Sequence, residues 1–433
     1  MKSIFFINDT IENKISFYHL AFFLALLPYD FFYSELVLIS FALHTVIHIK
    51  RSDFRNVISK PMLVLVSVYL LNLLAILYSA NKQEGLGLAV RQLGLLLFPV
   101  LFSLSHLDFA KYRMRLISIF GFSCVLTVIY LYYDAIKTIF VFHLPLSSLF
   151  TVNFMNHNFS LPVGIHATYL SMYIAFSIIA LLRMIVREEA KMQKLIYILA
   201  AVILFAGLIQ LSSRAVFFAF LLIINLVFPF VVFTGRKRQA CFFITAFISI
   251  AVMLLIYSVD SFKTRYVSEL KTDLTDNVKI IENTEPRLAR WEAIMELVES
   301  SPVIGYGSGA ETGLLQEKYF QKGLYISYLN EFNTHNQYLA TLLKTGIAGL
   351  LLFLFTLFYG YAAAIKRRDL FLLSFMVMVS VIALSENILE LNKGIFFYGF
   401  FFSILLLFPE AGAGGNRHNV TDEPGNPARV IAV

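Results

Sequence analysis

The residues best suited to chemistry lie in one long polar stretch, residues 259–335, between two apolar segments. Arg287 comes four residues before Trp291, and His335 closes the stretch. The planar, permanently charged group of an arginine can clamp a pyrophosphate through paired hydrogen bonds. A neutral histidine can take a proton from a hydroxyl group. These residue types are compatible with a phosphate-binding site and a general base, but spacing alone favours the simpler interpretation, an exposed arginine that pairs with a nearby glutamate.

Two further arginines compete for this task or share it. Arg214 follows Ser213, which can cap the next apolar segment, and a charge between apolar sequences must face a partner, water or the lipid headgroups. Snorkelling to the membrane interface is the alternative that needs no ligand. Arg290 lies close to Arg287 on the same predicted helix and can take its place in binding.

His335 stands where an apolar helix is expected to begin. Thr334 is a suitable N-cap, so we expect His335 and Asn336 in the first turn of that helix. The helix dipole and a nearby arginine would disfavour the charged imidazolium and keep the ring available as a base. The alternative is a polar residue that is merely tolerated at a helix end.

A glycine-rich turn and a second histidine complete the candidate set. Gly305, Tyr306 and Gly307 lack the lysine–serine pair and the strand-to-helix setting of a nucleotide loop. We interpret them as a tight turn that lets the backbone approach a sugar or a headgroup. His166 opens another apolar segment and is a further candidate contact for a substrate. No acidic residue or cysteine stands at ligand spacing from it, which argues against a metal site.

The composition indicates a membrane protein that spans the bilayer many times. Of all residues, 58% are hydrophobic, and the mean hydropathy of +0.74 is too high for one water-soluble core. Cys124 and Cys241 both lie in apolar runs, which favours simple packing over a disulfide framework. The net charge of +7 comes from short basic loops, a sign of membrane topology rather than of nucleic-acid binding.

Apolar runs of suitable length predict about twelve transmembrane helices. They lie near residues 15–29, 31–49, 61–79, 86–104, 115–136, 164–182, 195–211, 214–234, 240–258, 336–362, 369–386 and 394–408. Alternate connections are basic, so by the positive-inside rule both termini are expected in the cytoplasm. The chain then divides into nine N-terminal spans (1–258), one long non-cytoplasmic loop (259–335), three C-terminal spans (336–408) and a disordered cytoplasmic tail (409–433).

This topology places the three separated candidates, Arg214, Arg287 and His335, on one face of the membrane. A helix is expected over residues 286–299, with Leu288, Trp291, Ile294 or Met295, and Val298 on an apolar side suited to the membrane surface. Three helices would begin on this face: the helix over 286–299, the span that begins at Arg214 and the span that follows His335. We expect their N-termini to form an anion-binding pocket.

Several of these residues form patterns that resemble the O-antigen ligase and polymerase family. They are Ser213-Arg214, the R-x-x-x-W of Arg287 and Trp291, the P-x-x-G-x-G turn ending at Gly307, and the H-N-x-Y-L of His335, followed by Gly346-x-x-Gly349. The resemblance covers roughly residues 200–355. It implies a fold similar to the GT-C class and an inverting, metal-independent glycosyltransferase of the bacterial inner membrane that needs no cofactor.

The same resemblance implies the reaction partners. The donor would be a glycan on undecaprenyl pyrophosphate and the acceptor lipid A-core, within membrane lipids on the periplasmic face. His335 would deprotonate the acceptor, and Arg287 and Arg214 would stabilise the departing pyrophosphate. Substrate contacts would come from Arg290, Asn336, Tyr306, Gly305, Gly307 and His166.

Three alternatives to a ligase remain. A polymerase would join lipid-linked repeat units, and a protein O-oligosaccharyltransferase, which is less favoured, would use a protein hydroxyl as acceptor. A membrane transporter is a different class. It is disfavoured because most charges lie at the predicted ends of spans rather than near the bilayer midplane.

Overall fold

The computed structural model describes residues 5–29, 31–51, 53–273 and 285–410, and the regular elements in these ranges are helical. Seven helices there are long and apolar enough to cross a membrane, and four shorter apolar helices accompany them. The chain is therefore an all-helical polytopic membrane protein. The count of twelve spans and the side that each connection faces remain predictions. Asp30 and the expected tail from residue 411 onward lie outside the described residues.

The helices that precede the long polar stretch follow the predicted apolar segments with shifted ends. They are α1 (Ile11–Leu26), α2 (Phe31–His48), α3 (Phe54–Val57), α4 (Lys60–Ala75), α5 (Lys82–Arg91), α6 (Gly94–Leu104), α7 (Phe109–Val141), α8 (His157–Ser160), α9 (Ala167–Arg187), α10 (Lys191–Leu211), α11 (Arg214–Leu222), α12 (Phe228–Val232) and α13 (Gly235–Ser258). A π-helical turn, Ile223–Val227, joins α11 to α12. Polar caps set several starts: Thr10 Oγ1 accepts from Asn13 N at 3.3 Å, and Asp108 Oδ1 accepts from Lys111 N at 2.9 Å.

The long polar stretch is itself largely helical. It contains α14 (Asp260–Lys263), a π-helical turn (Thr264–Ser268), α15 (Glu269–Asp273), α16 (Arg287–Ser300), α17 (Glu311–Gln321) and α18 (Tyr325–Leu329). The predicted helix over 286–299 agrees with α16 to within one residue. Its residues Ala293, Ile294 and Val298 are buried in a small hydrophobic cluster with Leu315 of α17. Protein therefore covers this side of α16, and contact with the membrane surface remains a prediction.

The last three helices are α19 (Gln337–Arg367), α20 (Leu370–Ile382) and α21 (Asn392–Leu407). The span predicted over 369–386 was too long, because α20 ends at Ile382 and the chain then turns. The turn 383–391 places its polar side chains in contact with the helices of the long polar stretch. If α20 continued as a helix to residue 386, these side chains would lie too far away for those contacts. Hydropathy alone extended the span across this turn.

The phenylalanine-rich helix α21, which follows that turn, packs in the core of the bundle. Phe397, Phe400 and Phe401 of α21 are fully buried. The ring of Phe400 contacts Phe98 of α6 at 5.7 Å between centroids, and that of Phe401 contacts Phe176 of α9 at 4.7 Å. Because large aromatic side chains dominate the energetics of a core, α21 is well fixed where it begins, directly after the turn 383–391.

Candidate functional site

Two helix N-termini converge on one carboxylate. Arg214 is the first residue of α11, and its Nη2 lies 2.5 Å from Asp273 Oδ2. Arg287 is the first residue of α16, and its Nε lies 3.6 Å from the same oxygen. In the described part of the chain, Arg214 Nη1 is buried without a hydrogen-bond partner. Two guanidinium groups and two positive helix ends therefore surround a single negative group, the arrangement expected of an anion site.

A third arginine adds positive charge to this region. Arg265, on the π-helical turn, pairs with Glu269 one turn later. It also lowers the pKa of His157 and His166, although burial of those rings is the larger cause. Sequence reasoning did not select Arg265, because no pattern distinguished it within the polar stretch.

The turn after α20 links the arginines to His335. Arg287 Nη1 donates to the Ser385 carbonyl at 3.4 Å, and His335 Nδ1 lies 3.7 Å from Glu386 Oε2. This second distance is longer than a hydrogen bond, and the contact is an ion pair only when the imidazole carries a second proton. Thr168 Oγ1 donates to Glu386 Oε1 at 3.3 Å. The structure thus brings Arg214, Arg287 and His335 into one connected cluster, through two acidic residues that the sequence analysis did not name.

Glu386 is charged in this setting. Its burial opposes ionisation, but His335, His166 and Arg287 outweigh that effect and hold the pKa of the carboxyl below its ordinary value. An acidic residue in an apolar segment is a known sign of function in membrane proteins. That signal was available in the sequence, since Glu386 falls within a predicted span.

His335 itself has a left-handed backbone, with φ of 43°. The expected cap was wrong: α19 begins at Gln337, and Asn336 is the N-cap, its Oδ1 accepting from Tyr338 N at 3.0 Å and Leu339 N at 3.1 Å. His335 therefore precedes the helix rather than forming its first turn. A non-glycine residue in this conformation costs free energy and persists only where its surroundings impose it, often at functional sites.

Both neighbours of His335 are held by one amide. Asn387 Oδ1 accepts from Thr334 Oγ1 at 2.9 Å and from Asn336 N at 2.9 Å. Trp291 of α16 donates from Nε1 to the Thr334 carbonyl at 3.2 Å. The tryptophan four residues after Arg287 is thus physically connected to the segment that carries His335. The side-chain oxygen of Asn336 caps α19, and the contact of this residue with substrate remains a prediction.

A buried ionic group of three residues contacts the segment that carries His335. Lys344 Nζ of α19 is 2.6 Å from Glu311 Oε2 and also pairs with Glu390. Glu311 Oε1 accepts from Thr334 N at 3.1 Å, and Asn387 Nδ2 donates to Glu390 Oε2 at 3.0 Å. Paired in this way, the three side chains connect α17, α19 and the turn 383–391 around His335.

Arg290 occupies a different position from Arg287. It is buried, and its guanidinium group lies over the Phe332 ring, 5.1 Å from the ring centroid; the same ring also contacts His335, at 5.7 Å between centroids. Burial lowers the pKa of Arg290 from its ordinary value. Arg290 therefore supports the His335 segment by packing, and direct substrate contact remains a prediction.

His166 is the N-cap of α9. Its Nδ1 accepts from Thr168 N at 3.3 Å, and its ring lies 4.1 Å from that of His157 between centroids. Burial lowers the pKa of His166, against the opposing effect of Glu386. His166 lies close enough to Glu386, a member of the cluster, for their charges to interact. Within the described ranges, no group of three or more His, Cys, Asp or Glu residues is arranged to hold a metal ion.

The glycine-rich turn contacts the protein's own backbone. A Cβ at Gly305, where φ is 67°, would lie 2.5 Å from the carbonyl carbon of Lys344, and one at Gly307 would lie 2.4 Å from Ser79 Cα. Tyr306 donates from its hydroxyl to the Leu297 carbonyl at 2.8 Å. The close approach expected toward a sugar or headgroup is instead an approach to α19 and to the connection after α4. These residues position the elements, and their contact with substrate remains a prediction.

Comparison with known families gives one finding. Residues 199–354 match a family model described as O-antigen ligase, and this range contains Arg214, Arg287 and His335. It ends before the turn that carries Glu386 and Asn387. No curated protein matches the chain at a significant level.

Proposed function

We propose that the chain is an O-antigen ligase, on the premise that its residues 199–354 match a family model of that description. It would transfer a glycan from undecaprenyl pyrophosphate to lipid A-core at the periplasmic face of the bacterial inner membrane. The observation that carries the proposal is the pair of arginines on Asp273, joined to His335 through the turn 385–386.

The donor pyrophosphate fits the position of the Asp273 carboxylate. Arg214 and Arg287 already pair with that carboxylate, and two arginine forks suit phosphate oxygens better than a single carboxylate. In the proposed bound state the pyrophosphate displaces Asp273 and the polyprenyl tail stays in the lipid. Negative charge that builds on the leaving group would then be stabilised by two fixed cations and two helix ends.

His335 is the proposed general base. Because Nδ1 faces Glu386, we assign the proton transfer to Nε2. The acceptor hydroxyl loses its proton to His335 as its oxygen bonds to the anomeric carbon. The bond from that carbon to the pyrophosphate oxygen breaks at the same time, with inversion. Glu386 would stabilise the imidazolium that forms, and pyrophosphate leaves without needing an acid.

The first test is substitution of the two central residues. His335→Ala and Arg287→Ala should each abolish glycan transfer in a strain lacking the native gene, while immunoblots show normal amounts of membrane-inserted protein. A general base alone accounts for roughly 10²–10⁴ in rate. His143→Ala and Arg91→Ala, both at exposed positions, are matched controls and should retain activity. Normal transfer by either central variant would refute the assigned role.

A polymerase shares the family, so a second experiment separates the two reactions. The gene is deleted in the source strain and the glycan on the polyprenyl carrier is sized. Long polymer on the carrier with bare lipid A-core would establish a ligase. Single repeat units on the carrier would establish a polymerase.

A further inference from the structure

A cavity of about 240 Å³ lies at the far end of α9 from the candidate site. Its lining includes Arg115 of α7, Arg183 and Arg187 of α9, and Tyr197 of α10. Arg183 is sixteen residues from the first residue of α9, which at 1.5 Å per residue is about 24 Å. The cavity and the proposed transfer site therefore belong to opposite faces of the membrane.

The charges in the cavity leave one net positive charge. Arg115, Arg183 and Arg187 supply three, and Glu188 in the lining supplies one negative charge. Arg187 Nη1 is also paired with Glu410 Oε1 at 2.6 Å, which supplies a second. A single phosphodiester carries one negative charge and would balance this arrangement.

Two of the arginines are available to bind such a group. Arg183 Nε is buried and has no hydrogen-bond partner in the part of the chain that the structure describes. Arg115 donates from Nη1 to the Phe6 carbonyl at 3.0 Å and stacks on Tyr112, which leaves other N–H groups of its fork for a ligand. Phosphate groups are favoured ligands for such forks.

The remaining lining is apolar. Met114 and Met184 flank the arginines, and both are flexible side chains that adapt to an irregular hydrocarbon surface. The cavity is smaller than ligand pockets of roughly 300–1,000 Å³, so it fits a headgroup and not a whole lipid. Basic pockets between transmembrane helices near a membrane face bind anionic lipid headgroups.

We propose that this arginine cavity binds the phosphodiester headgroup of an anionic glycerophospholipid. The phosphate would lie between Arg115 and Arg183, and the acyl chains would leave the cavity past the methionines into the bilayer. This lipid site is separate from the transfer reaction and does not depend on it.

The test is native mass spectrometry of the full chain in detergent micelles that contain phosphatidylglycerol. The wild-type protein should retain bound lipid, and Arg183→Gln and Arg115→Gln should each weaken binding about tenfold, the size of effect expected for one charged hydrogen-bonding group. Arg236→Gln removes an exposed arginine outside the cavity and should bind like the wild type. If Arg183→Gln does not fold, lipid binding by Arg115→Gln alone tests the proposal.

Equal binding by the wild type and both cavity variants would overturn the proposal. Displacement of the lipid by an equal concentration of inorganic phosphate would also overturn it, because the site would then bind free phosphate. Phosphatidylethanolamine, whose amine neutralises its phosphate, should bind less tightly, and equal binding would contradict the charge argument.

Discussion

Glu386 and His335 form the pair on which the proposed proton transfer depends. A carboxylate beside one ring nitrogen fixes the orientation of an imidazole and favours its charged form. Here the contact is 3.7 Å, and the carboxylate is also held by Thr168. Glu386 therefore acts in the proposal as a positioning residue, and His335 as the residue that touches substrate.

Glu386→Gln should lower kcat for transfer by roughly 100-fold with little change in the KM for the donor, because orientation and charge are lost and the base remains. The pKa of Glu386 lies below its ordinary value, so the wild-type carboxylate is ionised at neutral and mildly acidic pH. The variant should therefore be slower than the wild type at both pH 6 and pH 8. Glu386→Asp should recover part of the rate, and Glu317→Gln, at an exposed position on α17, should have none of these effects.

Asp273 competes with the donor in the proposed mechanism. Asp273→Asn should lower the KM for the lipid-linked donor about fivefold at unchanged kcat, since a half-buried ion pair of this kind is worth about 1 kcal/mol. Initial rates at varied donor concentration measure both constants. Asp260→Asn is the exposed acidic control. A higher KM in Asp273→Asn would mean that the carboxylate aligns the arginines for binding and does not compete.

The residues that carry charge were partly predictable. Arg214, Arg287 and His335 stood out because residue type, spacing and topology agreed on one membrane face. Asp273 and Asn387 gave no such signal, since their importance comes from contacts between segments distant in sequence. Asn336 has a structural role that the pattern did not predict, since its side chain caps α19, and its contact with substrate stays a prediction.

At the scale of elements, the kink in α19 fixes the glycine-rich turn against the bundle. Gly346 interrupts the helix with φ of 62° and ψ of −164°, a backbone conformation that essentially only glycine adopts. Ile347 N donates to the Pro302 carbonyl at 2.8 Å, and Gly307 N donates to the Lys344 carbonyl at 2.8 Å. The turn thus replaces hydrogen bonds that the kink removes from the helix.

Gly346→Ala should destabilise the protein severely, by about 3 kcal/mol or more. A Cβ there would lie 2.2 Å from the Val303 carbonyl carbon, in addition to the cost of the backbone conformation. Thermal unfolding in detergent measures the loss. Gly313→Ala is the matched control: its Cβ would meet nothing within 4 Å on a helix, so stability should rise slightly. Similar melting temperatures for Gly346→Ala and the wild type would contradict the packing described.

Element positions were more predictable than element ends. Apolar segments predicted the positions of the long helices, because hydrophobic periodicity and segment length do not depend on which elements pack against a helix. The predicted α16 was correct to within one residue. The end of α20 was wrong by four residues, since the ionic contacts of the turn 383–391 depend on α17 and α19. A hydropathy profile contains no information about such partners.

At the scale of the whole molecule, a histidine joins one helix start and two connections at the end of the bundle away from the candidate site. His106 Nδ1 lies 2.7 Å from Glu12 Oε1, and its Nε2 lies 2.8 Å from Asp53 Oδ2. The hydrogen bond with Asp53 raises the pKa of His106, burial opposes it, and Glu12 adds to the rise. The charged form therefore links the start of α1, the connection after α2 and the connection before α7.

His106→Gln should lower stability at pH 6 by about 1 kcal/mol and have less effect at pH 9. A raised folded-state pKa gives stability that is complete below the ordinary value of 6.5 and is lost as pH rises through the folded value. Thermal unfolding of both proteins at the two pH values gives the comparison. An equal difference at pH 6 and pH 9 would show that His106 contributes through its shape and hydrogen bonds, not its charge.

The buried group formed by Lys344, Glu311 and Glu390 also bears on how the chain is made. A lysine within a transmembrane helix costs about 2.5–3.5 kcal/mol to insert, and Lys344 lies two turns inside α19. Of its two partners, Glu311 leaves the ribosome before Lys344, and Glu390 leaves after it. A carboxylate for the lysine is therefore already present when α19 reaches the translocon. The second carboxylate, Glu390, is synthesised later, in the turn between α20 and α21. The ionic group is therefore completed only when these last two helices have been made.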